Sequence, residues 1–337
     1  MEVIETEGVE LQTKFPDLVA QVRRFGNSCS DAILDPLSII FRTDSVEGLI
    51  GYRLVSSSAI VYGDPVCNWE DVPKIVQAFH FYSKQNGIKN IIYVSTSEDF
   101  AKWAFENQFA KAFIEFGREI YLDPHDDPKA KTGVRACLVR RKVQHALKEN
   151  VSVIEYISSN PELEKEMETV GEKWLKARKG RQIHISHVHL FQNRPGKRWF
   201  YAQRGNRIIG VVVLNQLQTK GGWLINHLMH TPDASHGTPE ILLTTVLNVL
   251  AKEGCNYVTF GAVTTGALGE MAGLGPLVER AVRVSFKAVN KFFRLDGKIK
   301  FWEKFDPAGK PSYLVFAHSK IGLRSIWALM RGLNVIS

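Results

Sequence analysis

Cysteine is scarce in this chain of 337 residues, and the four that occur (Cys29, Cys67, Cys137 and Cys255) lie far apart. That scatter leaves no room for a disulfide scaffold or a Cys-x-x-Cys motif and reads as reduced thiols of a cytoplasmic protein. Long apolar runs are missing as well. None approaches the roughly 18–20 residues that cross a bilayer, so no transmembrane helix is expected. The opening Met-Glu-Val-Ile-Glu-Thr-Glu is acidic where a secretory or transit peptide needs positive charge. His227, His230 and His236 form a His-rich stretch without Cys or carboxylate partners at ligand spacing, so no metal site is expected.

What is present is ordinary in amount and unusual in distribution. A hydrophobic content of 45% with 23% charged residues is that of a globular protein. The net charge of +8 divides unevenly: residues 1–130 carry 12 Lys and Arg against 20 Asp and Glu, and residues 131–337 carry 31 against 15. A half with a net charge of +16 attracts polyanions, either RNA phosphates or an anionic membrane face, and DNA is not favoured.

Periodicity alternates strands with helices along the chain. In the first half, strands are expected at Leu37–Arg42, within Gly48–Tyr62, at Asn90–Ser95 and at Ala112–Leu122. Helices are expected from Trp69 to Gln85, with Asp71 as cap, and over Ser97–Asn107, with Ser97 as cap. In the second half, Thr132–Glu149 and Pro161–Arg178 read as helices around a strand at Val151–Tyr156. A meander follows at Trp199–Gln203, Arg207–Gln216 and Gly222–Leu228, then a helix over Gly237–Glu253, a strand at Asn256–Phe260, a basic helix over Pro276–Phe293 and a last strand at Ser312–His318. Asp123-Pro-His-Asp-Asp-Pro128 is a suitable linker. The order is that of the GCN5-related N-acetyltransferase (GNAT) fold, an α+β architecture of mixed, mostly antiparallel sheet flanked by helices. Two such domains are expected in tandem, an acidic one over residues 1–130 and a basic catalytic one over residues 131–337.

The segment Lys298 to Phe316 packs cations and aromatics closely before a β-type run. Such material suits recognition of a phosphate beside an apolar group; the plainer reading is a basic turn before a terminal strand. Lys304-Phe305-Asp306-Pro307, a polar spacer and Tyr313-Leu314 resemble the closing signature of the aminoacyl-phosphatidylglycerol synthase catalytic domain. Gly63-Asp64-Pro65-Val66 resembles that family's Gly-Asp-Pro element, and Asp233 with Gly237, then Gly261, resemble its later loop and strand end.

That resemblance implies transfer of an aminoacyl group from charged tRNA to a lipid hydroxyl, with no acetyl-CoA. The stretch Ala234-Ser-His-Gly-Thr-Pro239 indeed keeps one Gly only, where a pyrophosphate loop needs more. It also implies Asp64, Asp233, Gly261, Arg294, Trp302, Phe305, Asp306 and Tyr313 as substrate-binding residues. Where the family usually has Asp-Leu-Met-Arg, this chain has His227-Leu-Met-His230, a departure from the family's acid and base groups. His227 and His230 are competent bases near neutral pH, and with Lys304 they are the expected catalytic set. As an alternative, both are ordinary strand-edge histidines.

Lys176, Arg178, Lys179 and Arg181 could follow a tRNA acceptor stem, and Lys287 and Lys291 continue a basic stripe on the helix 276–293; solvated surface is the other reading. Ile321–Ile336 reads either as a basic amphipathic segment on an anionic membrane or as a helix packed on the domain. The sequence thus points to a cytoplasmic aminoacyltransferase, peripheral at the inner membrane face. Acyl or aminoacyl transfer to an amine or peptide, and a non-catalytic RNA- or lipid-binding role, stay open.

Overall fold

The computed structural model describes residues 1–7, 11–178, 189–293, 297–317 and 321–333, without side chains at 288–299 and 323–324. In the first half, β1 (Glu2–Glu5), α1 (Leu11–Lys14) and α2 (Pro16–Phe25) precede a meander of β2 (Ile39–Arg42), β3 (Gly48–Val55) and β4 (Ser58–Tyr62), with the short β5 (Val66–Cys67) beside β3. Next come α3 (Val72–Gln85), β6 (Asn90–Thr96), α4 (Glu98–Glu106) and β7 (Ala112–Leu122). Ser97 caps α4 as expected, its hydroxyl accepting from the Phe100 amide at 3.1 Å. Asp71 does not cap α3; its carboxylate is taken by Lys74 at 2.9 Å.

The second half repeats the rhythm with α5 (Val134–Lys148), β8 (Val151–Tyr156), α6 (Pro161–Ala177), β9 (Lys197–Arg204), β10 (Arg207–Leu217), β11 (Gly222–His230) and α7 (Thr238–Lys252). It continues through β12 (Val258–Thr264), β13 (Met271–Ala272), α8 (Pro276–Phe293), α9 (Gly297–Trp302), β14 (Ala308–Phe316) and α10 (Leu323–Gly332). Asn160 caps α6 by accepting from the Glu162 and Leu163 amides, and Pro161 supplies the preset φ of a first turn.

The strands form one sheet in the order β1-β2-β3-β4-β6-β14-β7-β12-β11-β10-β9-β8. Adjacent pairs on this path are antiparallel except β4 with β6 and β11 with β12. The last strand does not stay with the second half, as the sequence suggested. Instead β14 inserts between β6 and β7, while β7 crosses to pair with β12. Each half leaves a gap before its own final strand, and the other half's final strand fills it. A boundary near residue 130 falls in the β7–α5 connection but does not divide the sheet.

Side-chain burial follows this exchange. Tyr313, on β14, is buried in the first-half core against Phe113, and its hydroxyl donates to Glu270 at 3.3 Å. The aromatic-basic knot, expected to meet substrate, is core as well. Trp302 stacks on Phe260 with centroids 3.6 Å apart, and Phe305 is fully buried beside it. The spacing of Phe301, Trp302 and Phe305 puts all three against the second-half core. The described part of the C-terminal segment also packs inward: Ala328 is buried, and Gly332 lies against Ile60. His318, at the expected end of the last strand, lies outside the described residues.

A fragment of residues 1–130 therefore lacks the strand between β6 and β7. It should show no cooperative urea transition by circular dichroism, and a peptide spanning residues 297–317 should restore one. A sharp transition in the fragment alone would contradict the exchange.

Candidate functional site

Parallel neighbours part company in both halves. The strands β11 and β12 pair only at Trp223–Val258 and Leu224–Thr259 before they splay. The strands β4 and β6 stay paired to Tyr62–Val94 and the Gly63 amide still reaches Val94 O at 2.8 Å, after which the chain turns away at Gly63 (φ +76°). Both wedges open toward the segment Gly26–Asp31, which lies across them. Asn27 lies so close to Gly63 that a Cβ there would sit 2.7 Å from Asn27 Oδ1, so Gly is required for space as well as for φ.

At the second-half wedge, Asn226 sits where the β10–β11 register slips and donates to Asp31 Oδ2 at 2.9 Å. Arg23 donates to Asp31 Oδ1 at 2.6 Å and to the Pro195 carbonyl at 3.1 Å. Burial alone would raise the Asp31 carboxyl, but Arg23, with Lys197 and His227 nearby, holds it at about 2. Burial also pulls the Lys197 ammonium down, against the charge of Asp31. The arrangement is an anchored carboxylate ringed by cations, on the sheet face that carries His227.

At the first-half wedge, Asp64 accepts from the Ser97 amide at 2.9 Å. Burial pushes its carboxyl up to about 6, helped by the charge of Glu119 and opposed by the hydrogen bonds from Ser97 and Asn27. Glu119 accepts from the Tyr257 hydroxyl at 2.5 Å. Burial lifts the Cys29 thiol between them to about 12, so it stays protonated and is no nucleophile. Gly261 (φ +76°) leaves open space beside Ser28. A carboxylate that titrates near neutrality in a cleft can take a hydroxyl proton.

The expected catalytic set does not converge. His227 pairs with Val213 and His230 with Gly210 in unbroken register, so side-chain alternation sends them to opposite faces of β11. His230 hydrogen-bonds the Thr231 carbonyl at 3.0 Å. Lys304 is on the α7 side, ion-paired with Glu240, with both side chains nearly buried and the ammonium 3.9 Å over the Phe301 ring. Its charge is thus already matched by Glu240 within the packed side of the sheet.

Of the other expected residues, Asp64 and Gly261 reach the wedges, whereas Asp233 pairs with Arg207 at 2.7 Å on the surface. Exposed Asp306 pairs with Arg135 at 3.2 Å and Lys131 at 3.6 Å. Arg178 stacks over Trp174 at 4.2 Å, and Lys176 is exposed and 3.9 Å from Glu172. Lys287 is exposed on α8. Lys179, Arg181 and Arg294 lie outside the described residues, as does the Lys291 side chain. Arg23, Asp31 and Glu119 have no place among the residues expected from the sequence. The available signal was Arg23, four residues after Val19 on the apolar stripe of α2.

Residues 23–316, which include both wedges, match the family model described as phosphatidylglycerol lysyltransferase, C-terminal. The chain belongs to this phosphatidylglycerol lysyltransferase C-terminal family. It is 22% identical over 296 residues to the phosphatidylglycerol lysyltransferase of Staphylococcus epidermidis, covering 86% of this chain and 34% of the relative. The Staphylococcus aureus (strain COL) protein of that name is 22% identical over 329 residues, covering 96% and 38%. The chain thus spans about a third of the length of these relatives.

Two solved structures share the fold. One is the C-terminal domain of a putative lysylphosphatidylglycerol synthetase from Agrobacterium fabrum, with a TM-score of 0.74, 17% identity and 94% of each chain covered. The other is L-PGS from Bacillus licheniformis, with a TM-score of 0.75, 15% identity and coverage of 95% of this chain and 97% of that one. The expected α+β architecture, a mixed and mostly antiparallel sheet with helices, therefore holds for this chain.

Two outcomes follow from these contacts. Lys304→Ala strands the Glu240 carboxylate in the core and should cost about 3–5 kcal/mol in denaturant unfolding, whereas Lys304→Met with Glu240→Leu should recover most of the loss. A melting temperature unchanged in Lys304→Ala would refute the buried pair. For Asp64, the folded carboxyl titrates above its ordinary 3.8, so its ionisation opposes folding above pH 6 and not below pH 4. Asp64→Asn should melt higher than the parent at pH 7–8, by at most about 2–3 kcal/mol, with the gain gone at pH 4. A gain independent of pH would remove the shift.

Proposed function

We propose that this chain is an aminoacyltransferase that moves an aminoacyl group from charged tRNA to the hydroxyl of a phosphatidylglycerol-like lipid. The observation that carries this reading is the family match over residues 23–316, which spans both wedges. The relatives named phosphatidylglycerol lysyltransferase supply the lipid and the type of transfer. The basic second half supplies attraction for a polyanionic donor.

The transfer replaces one ester with another. The lipid hydroxyl attacks the aminoacyl carbonyl, its proton passes to a base, and the terminal ribose hydroxyl of the tRNA leaves with a proton. Asp64, with a carboxyl near 6, is the base the cleft offers at neutral pH. Asp31 is too strongly held by Arg23 to accept a proton, and its role is to fix the second wedge and orient the polar groups around it. His227, on the same face, is the second candidate for proton transfer. The donor needs no acetyl-CoA and the reaction no metal. Among the described residues, no helix is long and apolar enough to cross a membrane. The lipid substrate would place the chain at the cytoplasmic face of the membrane as a peripheral protein.

The test uses purified protein, a panel of radiolabelled aminoacyl-tRNAs and vesicles containing phosphatidylglycerol, with the lipids analysed by mass spectrometry. A new aminoacyl-lipid is expected with at least one tRNA. Its rate should fall by about two to four orders of magnitude in Asp64→Asn, as for loss of a positioned base. If no tRNA yields an aminoacyl-lipid at low salt while acetyl-CoA is consumed with an amine acceptor, the reading fails.

A further inference from the structure

We propose that the outward face of α8 is the surface on which this protein rests against an anionic lipid bilayer; the inference builds on the lipid-directed reading above and assigns it a contact surface. The inward face is fixed by packing. Val282 and Phe286 lie against the hydrophobic cluster formed by β3, β4, β6, β7 and β14. Arg283 turns to the carbonyls of Leu268 and Gly269 and is paired with Glu279 at 2.8 Å, so it clamps the loop after β12 at the border of the exposed face.

The opposite face is left open and has a composition that water alone does not favour. Leu277 is 85% exposed and Val284 63% exposed, one heptad apart. Arg280 and Lys287, both exposed, follow each of them by three residues, so apolar and cationic side chains alternate along one stripe. A shallow groove runs along the same stretch, lined by Pro276, Glu279, Arg280, Arg283, Val284 and Lys287. Glu279, the one acid of α8, is already neutralised by Arg283.

Leucine and valine presented largely to solvent between cations match an interfacial helix, whose apolar side chains enter the acyl boundary while its cations meet lipid phosphates. RNA would use the cations and gain nothing from the aliphatic side chains, because bases stack on aromatic faces. The helix α10 packs on the same cluster and carries the same chemistry outward: Trp327 is 41% exposed, with the Arg331 guanidinium 5.3 Å over its ring. An indole beside a cation is typical of the bilayer interface.

Sedimentation of the full chain with vesicles tests this directly and requires no transfer activity. Binding is expected to vesicles of phosphatidylglycerol and phosphatidylcholine at low salt, and to be much weaker with phosphatidylcholine alone. Leu277→Ser with Val284→Ser, and separately Arg280→Glu with Lys287→Glu, should each lower partitioning by at least about tenfold. Both pairs are exposed, so thermal melts should match the parent. The serine pair should also retain transfer to phosphatidylglycerol dissolved in detergent while losing transfer to vesicles, which separates a failed docking surface from a failed enzyme assignment. Unchanged vesicle binding in both double variants would overturn the proposal. So would a loss of tRNA binding in the Arg280→Glu, Lys287→Glu protein with vesicle binding intact, which would return the stripe to the RNA.

Discussion

The backbone ladder between β7 and β14, running from Ala308–Tyr121 to Phe316–Ala112, closes the gap that each half leaves in its own sheet. A sheet edge left there would present unpaired N–H and C=O groups at the centre of the molecule, where no water could satisfy them. The ladder also sets the geometry of the cleft. The strand β7 holds Glu119 opposite Lys310 on one side and Ala262 on the other, so the positions of the two wedges relative to each other are carried by one strand. Pro311, which cannot donate, falls where β14 has β7 as its neighbour and has not yet met β6, whose pairing starts at Tyr313.

Local elements were legible because they are written in local patterns. The helices α3 to α8 and the β9–β11 meander appear close to where periodicity places them, and the Ser97 cap holds. The partner of a strand is a different kind of information. Nothing within Ala308–Phe316 states that it pairs with residues 112–121 rather than with its own half, because both neighbours would accept the same apolar alternation. The site suffers from the same problem. Asp31 meets Asn226 across most of the chain, and such a contact has no signature in either segment.

Two misreadings could have been avoided from the sequence itself. A strand carrying His227 and His230 three residues apart must point them to opposite faces, so a shared role required a bulge between them, and the register slip lies earlier, at Asn226. The knot around Trp302 was read by composition, whereas its spacing on a short helix gives one apolar face. Lys304 then becomes the cation that neutralises Glu240 beside that face, with its ammonium over the Phe301 ring. Asp64 and Gly261 were singled out by resemblance to the family's motifs, and both lie at the wedges, where Gly63 and Gly261 take the positive φ that glycine accepts most readily.

Ribosomal synthesis meets this topology in an awkward order. When β7 leaves the exit tunnel, its final neighbours β12 and β14 have not been made, and the slot between β6 and β7 stays open until Ala308–Phe316 emerges. At about 5–20 residues per second, that delay is roughly ten to forty seconds. Throughout it the nascent chain carries two apolar strand edges, so its yield in a cell depends on chaperone occupancy during translation as much as on the stability of the finished sheet.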